Sequence, residues 1–144
     1  MASWSEVEAQ APELARAARE YLDKHKHKTL ATLRKDGSPR ISGTEAEIVD
    51  GELQFGSMWR AVKALDLLRD PRFALHSGSD DPDDGWTGDA KVAGRAEVAA
   101  TDEGKSHTFR ADITELSVVR LGEPRDHLVI ESWHEGRGVT RRRR

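Results

Sequence analysis

Apolar residues recur first at helical spacing and then at alternating positions. Val7, Ala11, Leu14, Ala18 and Tyr21 share one helical face, Ala15 and Leu22 widen the stripe, and Ser5-Glu6-Val7-Glu8 has the form of a capping box. The pattern predicts an amphipathic helix over 5–23, followed by the basic connector His25-Lys26-His27-Lys28. From Thr29 the period shortens. Thr29 to Arg34 reads as a strand, and Asp36-Gly37 after it supports a two-residue hairpin turn of positive φ. A second strand over Arg40 to Val49 ends at Asp50-Gly51, and Glu52 to Ser57 returns as the third, giving an antiparallel meander. Ala61 to Arg69 is helical again and stops at Asp70-Pro71, because a residue before proline disfavours the α region. Arg72 to Ser77 reads as a fourth strand, residues 78–89 as an acidic loop, and Lys91 to Val98 as a fifth strand. Thr101-Asp102-Glu103 is expected to open a short helix, with closing strands near 113–121 and 127–134. The expectation is a mainly β fold of six or seven short antiparallel strands with an N-terminal helix, and closure into a barrel would remove exposed edges.

Composition changes this picture in three ways. A chain of 144 residues fits one domain, over 1–144, and an apolar share of 36% against 34% charged makes burial against a second copy attractive, so a homodimer is expected. There is no cysteine, no apolar run of membrane-spanning length and no signal-peptide core, which gives the expectation of a cytoplasmic protein with no membrane partner. The formal net charge is −3, yet without Arg141 to Arg144 there are 19 basic residues against 26 acidic ones, a body of about −7. An acidic body argues against a nucleic-acid surface, and residues 136–144 read as a solvated basic tail.

Few residues carry recognisable chemistry. Nucleophile-elbow, phosphate-loop, zinc-protease and dinucleotide patterns are all absent from the sequence. His25 and His27 lack a third ligand and the acidic loop lacks the ligand spacing of a calcium hand, so no metal site is expected. What remains is Ser57, Arg60 and Lys63 at a strand-to-helix junction, where a hydroxyl, a guanidinium and an ammonium can converge on one anion beside unpaired helical N–H groups. From spacing alone, an ordinary solvated helix start competes with a phosphate site.

Several segments together resemble the pyridoxamine 5′-phosphate oxidase-like superfamily, and within it the actinobacterial flavin- and deazaflavin-dependent oxidoreductases. They are Thr29 to Pro39, Leu53 to Ser57, Lys63 to Arg72, Val92 to Ala96 and Leu128 to Trp133. The resemblance implies a split β-barrel of the FMN-binding-protein type, with the barrel over 28–135. It implies that Lys63 and Ser57 hold a cofactor phosphate with Arg60 as helper, and that Ser42, Gly43 and Thr44 run beside the cofactor ring, with Met58 adjoining; Trp133 either packs on the ring across a dimer or fills the core or interface. The implied cofactor is FMN or coenzyme F-420, and the implied activity is hydride transfer to a small organic substrate. The alternative is a non-catalytic carrier or storage protein for the same cofactor. Asp66 stands where the branch usually has asparagine, and the basic second-strand pair of true pyridoxamine phosphate oxidases is missing, so oxidation of vitamin B6 is not implied.

Overall fold

Pro12 divides the first amphipathic segment in two. The computed structural model, which describes residues 2–144, has helix α1 at Trp4–Gln10 and helix α2 at Pro12–Lys24 instead of one helix over 5–23. Proline is at home in a first helical turn, where its missing N–H is no loss, but it pushes the preceding Ala11 out of the α region, to φ −140° and ψ 66°. The cap is also displaced. Ser3, not Ser5, accepts the N–H of Glu6 through its hydroxyl at 3.2 Å. The apolar stripe survives the break, because Val7, Leu14, Ala15, Ala18 and Leu22 are all buried.

Alternation gives the strands that follow: β1 His27–Leu33, β2 Pro39–Val49, β3 Glu52–Met58, then helix α3 Val62–Arg69 and β4 Arg72–His76. The two Asp-Gly turns differ. At the first, only Gly37 has positive φ (87°), and the N–H of Gly37 donates to the Arg34 carbonyl while that of Arg34 donates to the Ser38 carbonyl, each at 2.8 Å. That is a three-residue loop with a glycine bulge rather than the two-residue turn expected there. The two-residue turn is the second one, where Asp50 (φ 52°) and Gly51 (φ 76°) are both left-handed and Val49 pairs with Glu52.

Past the acidic loop and its 3-10 turn at Pro82–Asp84, the strands are longer than the sequence pattern suggested. β5 spans Gly88–Asp102 and β6 spans Ser106–Gly122, so Thr101 and Asp102 end a strand instead of opening a helix. β7 follows at His127–His134 and β8 at Gly138–Arg143. The expected basic tail is therefore mostly an edge strand paired with β7, and eight strands are present among the described residues. The strand order is β3-β2-β1-β4-β5-β6, and β6 pairs back onto β3, closing a six-stranded antiparallel barrel from which β7 and β8 continue outward. Leu30, Leu53, Phe55, Leu75 and Phe109 belong to its core, with the Phe55 ring 5.1 Å from Phe73 and 6.0 Å from Phe109. Helices α1 and α2 pack on the sheet and bury Trp4, Leu14 and Leu22 against it.

Candidate functional site

Helix α3 crosses from the end of β3 to β4 and is fastened by one carboxylate. Asp66, buried on α3, accepts hydrogen bonds from Thr32 Oγ1 at 2.8 Å, Arg40 Nε at 2.7 Å and Arg69 Nη2 at 3.0 Å. Burial pushes this carboxyl up, but the hydrogen bonds from Arg40, Thr32 and Arg69 and the Arg40 charge together hold it below its ordinary value. An asparagine here could still accept bonds but would leave both guanidinium groups without a counter-charge. Asp66 thus joins α3 to β1 and β2 and sets where Lys63, one turn earlier on the helix, points.

That position is the rim of a groove of about 900 Å³ formed by β2, β3, the beginning of α3 and the β5–β6 turn. Gly43, Thr44, Ser57, Met58 and Lys63 all line it. Ser42 lines an adjoining depression that shares Met58 and Lys63. Six of the eight sequence-derived positions are therefore brought together around Lys63. Its ammonium donates to the Gly43 carbonyl at 2.8 Å and has no carboxylate partner among the described residues. Loss of hydration lowers its pKa from the usual lysine value. The Ser57 hydroxyl turns to the Met58 carbonyl at 3.1 Å, and Thr44, buried, reaches the Gly56 carbonyl at 3.3 Å. Adding a Cβ at Gly43 would meet nothing within 4 Å, so the backbone there faces open space.

Two positions do not join the groove. Arg60 lies before α3 with φ 54° and an exposed side chain, so it is not one helical turn from Lys63 as the spacing suggested. The turn that starts α3 consumes the residues between them. Trp133 is fully buried and donates through Nε1 to Gln10 Oε1 at 3.2 Å, which makes it the filling between β7 and the helices and not a surface on which a ring can stack. Conversely, Lys105, Ser106 and Thr108 line the groove unforeseen. Reading 101–103 as a helix start hid them. The Trp59 N–H donates to the Lys105 carbonyl at 3.0 Å and ties that turn to the segment before α3. Lys26 and His27 also line the groove, facing Glu45 at 3.7 and 3.8 Å, whereas His25 bonds Asp80.

The profile of the pyridoxamine 5′-phosphate oxidase family matches residues 14–131. No curated protein matches the chain significantly. Among solved structures, the chain is similar to a heme-binding protein from Mycobacterium smegmatis, with 16% identity over 90% of this chain and 87% of that one and a TM-score of 0.62. It is similar to PhzG from Burkholderia lata, solved with tetrahydrophenazine-1-carboxylic acid, with 11% identity over 98% and 92% of the two chains and a TM-score of 0.66. An F-420 reductase shares 18% identity over 69% of this chain and 94% of its own, with a TM-score of 0.57. At these identities the structural likeness is one of fold.

Proposed function

This chain belongs to the pyridoxamine 5′-phosphate oxidase family, and on that footing we propose that its groove binds a phosphorylated flavin-type cofactor, FMN or F-420, and serves hydride transfer to a small organic substrate in a cytoplasmic homodimer. The observation that carries the reading is Lys63: a half-buried ammonium on the groove wall, partly stripped of water, whose one bonded partner among the described residues is the Gly43 carbonyl. Such a cation is stabilised by an anion brought to it.

The donor set fits a phosphorylated ring compound. Lys63 and Lys105 supply charge, Ser57, Ser106 and Thr108 supply hydroxyls, and the bare backbone at Gly43 leaves room for a flat ring. Glu45 and Glu47 also line the groove, and Glu45 already faces Lys26 and His27. Bound there, the cofactor would supply the hydride chemistry. The chain's part is to hold the anionic end at Lys63, to orient the ring along β2 and to exclude water. For the last, a second copy is the natural cover, because Ile41, Met58, Val62, Leu65 and Leu68 form an exposed apolar rim beside the groove, with Met58 and Ile41 78% and 75% exposed. The family, with a structural relative named as an F-420 reductase, favours cofactor-dependent redox chemistry as the class of function.

Titrating the purified protein with FMN and with F-420, reading fluorescence, and then assaying hydride transfer from the reduced form tests the proposal. Saturable binding of one cofactor with turnover supports it. Binding without turnover on a panel of quinones and enones replaces the enzyme by a carrier, and binding of neither overturns the reading.

A further inference from the structure

The longest run of one charge in this chain lies on a strand, and a run of the opposite charge lies at the same end of the sheet. Arg141, Arg142 and Arg143 complete β8, and Arg144 continues it, its N–H and C=O each bonded to Leu128 at 2.8 Å. All four side chains are exposed, with no acidic partner among the described residues. Glu131, opposite Arg141 in the register, is held by Arg120 at 2.8 Å. The other run is Asp80-Asp81-Pro82-Asp83-Asp84. Asp80 is tied to Lys24 and His25, which anchors the loop. Its 3-10 turn then presents Asp81, Asp83 and Asp84, exposed and without basic partners among the described residues.

Their relative position follows from the ladder. The loop feeds β5, whose Gly88 pairs with Arg120, while the Leu121 N–H donates to the Thr87 carbonyl. Arg120 pairs with Val129, and Val129 with Arg143. One line across four strands therefore runs from Gly88, where the acidic loop enters β5, to Arg143, three strand spacings or roughly 14 Å, which puts the loop and the arginines at the same end of the sheet.

We propose that this end of the molecule docks a second copy of the same chain, with the Asp81–Asp84 turn of each protomer seated on the arginine strand of the other. Opposite charges at one end of one sheet can become reciprocal contacts under a two-fold axis, the arrangement that closes. Pairing of β8 with β8 is disfavoured, because it would set arginine against arginine along an unpaired edge. Nucleic acid is a poorer fit, because an acidic turn lies at the same end of the sheet and the body without the arginines is acidic. This contact is separate from the apolar rim beside the groove, and it stands or falls independently of the cofactor. Exposed ion pairs are individually weak, so the association is salt-sensitive rather than tight.

Sedimentation velocity of the full chain at about 30 mM and about 500 mM salt reads it directly. Twice the particle mass at low salt is expected where the particle at high salt is a monomer, and at least twice where it is a groove-to-groove dimer, whose two charged ends can each dock another dimer. Arg143→Asp with Arg144→Asp, and separately Asp83→Arg with Asp84→Arg, should each abolish the doubling, and the two pairs combined should restore it. Circular dichroism and melting confirm that each variant is folded. A parent mass indifferent to salt overturns the proposal and leaves the arginines as a shield on a sheet edge. So does a folded combined variant that stays small. Binding of a labelled DNA duplex that the arginine pair abolishes, with no change in mass, assigns the strand to nucleic acid instead.

Discussion

Asp66 shows how one side chain can place a site that it does not touch. Its carboxylate receives three donors from β1, β2 and its own helix, and its titration leaves a signature. Because the hydrogen bonds from Arg40, Thr32 and Arg69 and the Arg40 charge outweigh burial, the folded pKa lies below the unfolded one, ordinarily 3.8. The group's contribution to stability is therefore complete above the unfolded value and is lost as pH falls through the folded one. Asp66→Ala is expected to cost about 2 kcal/mol at neutral pH, because Thr32 keeps a buried hydroxyl without its acceptor, and to flatten the acid limb of the stability curve. Urea unfolding over a pH series measures both, and an acid limb identical to the parent's would contradict this role. Lys63 titrates at the other extreme. Burial depresses its pKa, so the affinity for an anionic ligand should decline with rising pH earlier than an ordinary lysine would dictate. Fluorescence titration across the alkaline range reads this, and Lys63→Arg, which does not deprotonate, should remove the decline.

At the level of elements, the two Asp-Gly hairpins carry the same dipeptide and adopt different turns, because the flanking pairing decides the loop length. Gly37 is left-handed in either turn type, so Gly37→Val should lower stability by about 1–2 kcal/mol, while Gly37→Asn costs less. Thermal melts of both variants check this, and equal melting temperatures would mean that the loop re-forms. The meander β1-β2-β3 and helix α3 were legible in the sequence, because alternation, Asp-Gly and Asp-Pro are local signals. The split of the first helix was legible too, in Pro12, but the continuous apolar stripe concealed it. Nothing local announces that β5 runs on for 15 residues, whereas the alternation of His107, Phe109, Ala111 and Ile113 does mark the start of the 17-residue β6. The first half of β6 alternates strictly, burying those four residues, and pairs with β3 as well, whereas the outer half of β5 is exposed and alternates weakly, and it is a strand because it pairs with β6. The same holds for β8, whose arginines are extended by the ladder to β7 and not by their own preference.

For the whole molecule, the sequence located the groove better than its membership. Lys63 and Ser57 stand out from the junction's own residues and again in the resemblance, the β2 residues in the resemblance alone, and they line one groove and its adjoining depression, whereas Lys105 arrives through the long β5–β6 pairing that no spacing revealed. The apolar rim gives a test of assembly: Leu68→Asp should yield a smaller particle by light scattering and a lower cofactor affinity together. A particle of unchanged size would place the dimer contact elsewhere. The central claim, that Lys63 grips a cofactor phosphate, is tested most directly by comparing FMN with riboflavin, which has the same ring and no phosphate, on the parent and on Lys63→Ala. A hydrogen bond to a charged group contributes about 1.5–3 kcal/mol, so the substitution should weaken FMN roughly ten- to a hundred-fold and leave riboflavin nearly unchanged. Equal losses for both ligands, or no loss for FMN, would contradict it.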